Sequence, residues 1–104
     1  MERSDNAEGL KLKPEKVKPK LPSIYKVIIL NDDFTPMEFV VFVLQEIFNH
    51  PHERAERIML AVHNDGMGIA GIYRLEIAEQ KAYDTAEEAK ENQYPLKITI
   101  EEVQ

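Results

Sequence analysis

The stretch Leu30-Asn31-Asp32-Asp33-Phe34-Thr35-Pro36-Met37-Glu38-Phe39 decides how this chain folds, because the hydrophobic period changes inside it. Upstream, Tyr25-Lys26-Val27-Ile28-Ile29-Leu30 is a short apolar run rich in β-branched residues, which reads as a buried strand. Downstream, Thr35-Pro36-Met37-Glu38 carries three helix-start signals: Thr35 as N-cap, Pro36 at the first helical position and Glu38 placed to close a capping box. Between strand and cap lie Asn31, Asp32 and Asp33, short side chains that accept hydrogen bonds, two of them anionic. A cluster of this kind on a turn anchored at both ends is suited to holding a cationic group.

Working outward, the helix that follows is expected over Pro36 to Asn49 and is apolar nearly all round, with Met37, Phe39, Val40, Val41, Phe42, Val43, Leu44, Ile47 and Phe48. That is more apolar surface than one buried stripe requires, so part of it must be covered by something other than the core. Asn49-His50-Pro51 breaks the chain, and Pro51 opens a second helix expected over His52 to His63, closed by Asn64-Asp65-Gly66 as a C-cap. Gly68 to Leu75 reads as a strand weakened at Gly71. Glu76 to Asn92 reads as a third helix with a thin apolar stripe of Ala78, Ala82, Ala86 and Ala89. Leu96-Lys97-Ile98-Thr99-Ile100-Glu101 alternates strictly, as a strand half in water does. The order β-α-α-β-α-β predicts a single α+β domain, a three-stranded antiparallel sheet packed on helices.

With 104 residues, 43% hydrophobic and 31% charged, the chain has apolar material for one core. It contains no cysteine, so neither a disulfide framework nor a thiolate metal site is available. The longest apolar run, Phe39 to Leu44, is far shorter than the roughly 20 residues a membrane span needs. No membrane association is expected. The start of the chain lacks an apolar core segment, and Glu2, Asp5 and Glu8 make it too acidic for a transit peptide, so a cytoplasmic protein is expected. The net charge of -6 is uneven: residues 1–22 hold six basic and four acidic residues, leaving seven basic against fifteen acidic in the remainder. An acidic body argues against nucleic-acid binding. Residues 1–22 alternate Lys with Pro and are expected to form a flexible extension, with residues 23–104 as the folded domain.

Three histidines raise the question of metal. His50 and His52 fall in the break between helices and read as solvated turn residues, whereas His63 shares an edge of its helix with Met59 and Leu60. A metal-dependent hydrolase would use Asp32, Asp33 and His63 at one converging point. The same two aspartates also admit a general acid and base pair. Adjacent residues on a turn point in different directions, however, and no nucleophile, phosphate loop or carbonyl-binding lysine accompanies them.

Tyr25-Lys26-Val27-Ile28, Asn31-Asp32-Asp33-Phe34-Thr35-Pro36-Met37-Glu38-Phe39-Val40, Met59-Leu60-Ala61-Val62-His63 and Gly66, with Glu76, Ala78, Glu79, Lys81 and Tyr94-Pro95-Leu96 further on, closely resemble the ClpS family. Members of that family are bacterial adaptors of the Clp protease, and the likeness covers residues 22 to 103. The resemblance implies a non-enzymatic adaptor without cofactor or metal, acting as a monomer. It would bind proteins whose first residue is Leu, Phe, Tyr or Trp and deliver them to the N-terminal domain of the ClpA unfoldase for degradation by ClpP, so modulating the substrate choice of the protease. Carried over by position, contacts to the substrate's α-ammonium fall on Asn31, Asp33 and His63, with Asp32 holding the peptide backbone. The hydrophobic pocket falls on Ile29, Leu30, Thr35, Met37, Val40, Met59, Val62 and Leu96, and Met37 matches the residue that screens out β-branched first residues. The unfoldase interface falls around Glu76 and Lys81. The extension has no matching sequence in the family.

Overall fold

The computed structural model describes residues 21–103, and the extension expected over residues 1–22 lies, as far as Lys20, outside them. Strand β1 (Ile24–Leu30) leads to helix α1 (Met37–Glu46) and helix α2 (His52–Asp65), followed by β2 (Met67–Arg74), α3 (Leu75–Glu91) and β3 (Lys97–Glu102). The sheet is antiparallel in the order β2-β1-β3, so the most apolar strand is the central one. Val27 and Ile29 of β1 are fully buried in one core with Val43, Leu44, Ala55, Ala70 and Ala78. Both the order of elements and the α+β class are those expected. Among the described residues no helix is long and apolar enough to cross a membrane.

The start of α1 differs from expectation. Pro36, not Thr35, is the N-cap residue, and no side chain caps the helix. The hydroxyl of Thr35 is spent elsewhere: it donates to Asp32 Oδ2 at 2.7 Å. Asp32 Oδ1 accepts from the amides of Phe34 (2.8 Å) and Thr35 (2.7 Å). The capping box is therefore replaced by a turn in which an aspartate bonds the backbone two and three residues on. α1 also ends earlier than Asn49, because Asn49 takes a left-handed conformation with φ 60° and turns the chain away.

His50 is not a solvated turn residue. It is half-buried, and its Nε2 meets the carbonyl of Ala70. In the β1–β2 ladder Val27 faces Gly71 and Ile28 faces Ile69, which leaves Ala70 as the extra residue of a bulge, and the histidine satisfies its carbonyl. His52 is solvated as expected, but it stands as the first residue of α2, beside Glu56, and not in the turn. The stripe of α3 also shifts. Ala78, Thr85 and Ala89 are buried with Ala82 packed against the core, while Ala86 is exposed. A spacing of four, three and four stays on one helical face, and Thr85 enters it because its hydroxyl donates to the Lys81 carbonyl at 2.8 Å.

Two glycines place α2. Gly66, at φ 90°, closes the helix in the left-handed conformation, its N–H donating to Val62 O. Gly68 lets the helix lie directly on β2: a Cβ there would stand 2.8 Å from Val62 Cγ2 and 3.1 Å from the Ile58 carbonyl oxygen. Gly68→Ala must push α2 away from the sheet, at a cost of about 1–3 kcal/mol for overpacking. At about 4–8 °C per kcal/mol for a domain of this size, thermal denaturation should show a clear fall in Tm. An unchanged Tm would mean that the helix is not held against β2 at this point.

Candidate functional site

The turn between β1 and α1 is fixed at both ends. Asn31 N–H donates to the Gly66 carbonyl at 3.0 Å, which ties the end of β1 to the C-terminal end of α2, where His63 stands. Asp32 then holds Phe34 and Thr35 with both of its oxygens. With its own turn closed around Asp32, the segment presents Asn31 and Asp33 to solvent, and His63 is exposed across from them.

These side chains line a cavity of about 190 Å³ together with Asp32, Thr35, Met37, Val40, Met59 and Val62. Helix α1 contributes Met37 and Val40 to its wall, and α2 contributes Met59, Val62 and His63. Val40 and Val62 are buried, while Met37 is 47% exposed at the mouth. Acceptors are thus grouped at one end of a small apolar hole. Drug-sized ligands occupy roughly 300–1,000 Å³, so this hole accommodates one side chain and the backbone next to it.

Every residue lining the cavity is one that the sequence reading singled out. Three others from that reading do not line it. Ile29 is fully buried within the core, and Leu30 is half-buried at the end of β1. Leu96 lies in a wider, shallower groove of about 570 Å³, between Phe34, the end of α3 and Tyr94-Pro95. A strand residue next to a pocket-forming turn looks the same in sequence whether it faces the pocket or the core.

Asp32 feels burial, which pushes its carboxyl up, but the hydrogen bonds from the Thr35 hydroxyl and the Phe34 and Thr35 amides, aided by the positive charge of Lys97, hold it below its ordinary value. Asp32 is therefore ionised at neutral pH and spent on the turn. Among the described residues no group of three or more His, Asp or Glu side chains is placed to hold a metal. A hydrolase built on Asp32, Asp33 and His63 has no support in this geometry.

A cavity that pairs hydrogen-bond acceptors at one end with an apolar wall is shaped for binding a small ligand with a donor-rich head and an apolar side chain. Residues 20–99 match the family model of the ATP-dependent Clp protease adaptor protein ClpS, and the chain belongs to the ClpS family. It is 53% identical over 87 residues to the ATP-dependent Clp protease adapter protein ClpS of Caulobacter vibrioides, covering 82% of this chain and 80% of the relative. It is 56% identical over 86 residues to that of Bdellovibrio bacteriovorus, covering 81% of this chain and 75% of the relative. The solved structure of Agrobacterium tumefaciens ClpS2 bound to L-phenylalaninamide superposes with a TM-score of 0.77 at 37% identity, covering 80% of this chain and all of that one. ClpS proteins are non-catalytic adaptors of the Clp protease and its ClpA-type unfoldase, and this chain is such an adaptor, not an enzyme.

The depressed carboxyl of Asp32 sets a pH dependence with a definite sign. An acid whose pKa is lower in the folded state stabilises the fold above its unfolded value, about 3.9, and this contribution is lost as pH falls through the folded value. Asp32→Asn keeps one acceptor oxygen but cannot ionise. In denaturant titrations the variant should be less stable than the wild type at pH 7, and the gap should close below about pH 4. A gap independent of pH would remove the carboxylate's charge from the account.

Proposed function

We propose that this chain is the receptor for N-degrons, binding proteins that begin with Leu, Phe, Tyr or Trp and handing them to a ClpA-type unfoldase for degradation by ClpP. The observation that carries the reading is the cavity itself, with Asn31, Asp33 and His63 at one end and Met37, Val40, Met59 and Val62 forming the wall. A free α-ammonium has three donors and no acceptor. A carboxylate, an amide oxygen and an imidazole nitrogen complement it, and a hydrogen bond to a charged group contributes about 1.5–3 kcal/mol. The first side chain then enters the apolar end. Asp32 Oδ2 serves one donor from Thr35 and keeps lone-pair capacity for the next backbone N–H of the substrate.

The ligand in the related A. tumefaciens structure supports this chemistry, because L-phenylalaninamide presents a free amine, a large apolar side chain and an amide in place of a carboxylate. Delivery rests on the part of α3 that carries the exposed Glu76 and, five residues further on, the half-buried Lys81, as the surface for the N-terminal domain of the unfoldase. The adaptor acts as a monomer in the bacterial cytoplasm, and by offering these substrates it modulates what the protease degrades.

Two titrations test the reading. A peptide beginning with a free-amine Phe should bind, and its N-acetylated twin should lose at least about a hundredfold in affinity, since two charge-assisted bonds vanish with the ammonium. Equal affinities would sink the proposal. For specificity, Met37→Ala should open the mouth and raise the affinity of Ile- or Val-initiated peptides while Leu peptides still bind, because Met37 is the flexible side chain at the rim. Continued exclusion of Ile peptides by this variant would place the gate on another wall.

A further inference from the structure

Asp32 lines the ligand cavity, yet nothing in its own side chain fixes where its carboxylate points. The last torsion of an aspartate is broad and roughly two-fold, so the plane of the two oxygens is set by whatever binds them. Oδ1 is held by the amides of Phe34 and Thr35, at 2.8 and 2.7 Å. Those donors belong to the backbone, and almost any residue at either position would supply them. Oδ2 is different. Among the described residues its one hydrogen bond comes from the Thr35 hydroxyl, at 2.7 Å, and only a side chain that carries a donor can make it.

Thr35 is free for this because α1 does not use it. Pro36 is the N-cap residue, and no side chain caps the helix. A threonine at a helix start ordinarily turns its hydroxyl toward the amides of the first turn. Here the hydroxyl turns back to Asp32, and Thr35 lines the same cavity, half-buried. Burial pushes the Asp32 carboxyl up, and the Thr35 hydroxyl is foremost among the bonds that bring it down. Pinned at both oxygens, the carboxylate is fixed before any ligand arrives, and Oδ2 keeps a lone pair to offer.

We propose that Thr35 is a positioning residue for recognition: its hydroxyl aims Asp32 Oδ2 at the N–H of the substrate's second residue, so that degrons whose second residue lacks an N–H, proline among them, are discriminated against. This rests on the N-degron reading above. An acceptor already held in place gives up no freedom when the N–H reaches it, and so more of the hydrogen bond appears as affinity. Without the hydroxyl the carboxylate turns about its last torsion, and the second residue loses its fixed partner.

Thr35→Val removes the hydroxyl at nearly constant shape, and Thr35→Ser keeps it. In the free full-length chain, the Asp32 carboxyl followed by NMR should titrate at a higher pH in Thr35→Val than in the wild type, and at the wild-type pH in Thr35→Ser. The ligands are a free-amine Phe-Ala peptide and its depsipeptide twin, in which an ester oxygen replaces the N–H of the second residue, compared at a pH where both amines are protonated. The wild type should bind the amide at least about tenfold more tightly than the ester. Thr35→Ser should keep that ratio, and in Thr35→Val it should fall toward one. A merely structural Thr35 would weaken both ligands alike and leave the ratio unmoved. That result, an unshifted Asp32 titration in Thr35→Val, or a ratio near one in the wild type overturns the proposal. Failure of the N-degron reading shows separately, as an N-acetylated Phe-Ala peptide that binds as well as the free one, while the titration of the free chain still decides whether Thr35 holds the carboxylate.

Discussion

The carboxylate of Asp32 is the constraint on which the rest of this fold turns. Strand β1 is central in the sheet and its core-facing residues are fully buried, so the chain must leave the sheet and enter the helical layer within a few residues. A reversal that tight leaves backbone N–H groups without ladder or helix partners. Asp32 takes two of them and the Thr35 hydroxyl besides. Burial alone would favour the neutral acid. The hydrogen bonds outweigh it, and the charged form becomes part of the architecture.

The same turn that closes on Asp32 opens outward on Asp33. Because the Asn31 N–H is spent on the Gly66 carbonyl, β1 and the end of α2 are held together, and acceptors from two elements distant in sequence come to one cavity mouth. At this mouth the charge of Asp32 is stabilised by the turn's donors and by the positive charge of Lys97, and Asp33 stands exposed on the turn.

Under the proposed reading, affinity is divided between two kinds of interaction with different roles. Burial of one large apolar side chain contributes about 1.5–3 kcal/mol. Each of the hydrogen bonds to the ammonium contributes a similar amount. Association costs at least about 4 kcal/mol, so these contributions leave at most about 8 kcal/mol, binding no tighter than about micromolar. That suits a protein which must release its cargo to another machine. The apolar excess of α1 has a matching explanation: Val43 and Leu44 face the core, Met37 and Val40 face the cavity, and Phe42 remains 45% exposed, 6.2 Å from the ring of Phe39.

From sequence alone the element order, the antiparallel sheet and the polar cluster Asn31-Asp32-Asp33 were legible, because periodicity, Gly66 and the turn residues are local signals, whereas the apolar residues that line the cavity were named only through the family resemblance. What escaped were long-range polar bonds. Thr35 looked like a cap because its neighbours had the spacing of one, and only the closed turn shows that its hydroxyl serves Asp32. His50 looked solvated until the bulge at Ala70 supplied an acceptor twenty residues away. Lys81, which the resemblance placed at the unfoldase interface, also reaches the carbonyl of Ile47, thirty-four residues earlier in the chain. Ile29, Leu30 and Leu96 were placed in the pocket by the resemblance, yet they do not line the cavity, since the face a strand residue takes depends on how the sheet meets its helices. Local pattern determines which elements form, since it rests on side-chain period and backbone preference. Which donor finds which acceptor across elements is decided only by packing, because a hydrogen bond depends on distances that no sequence spacing encodes.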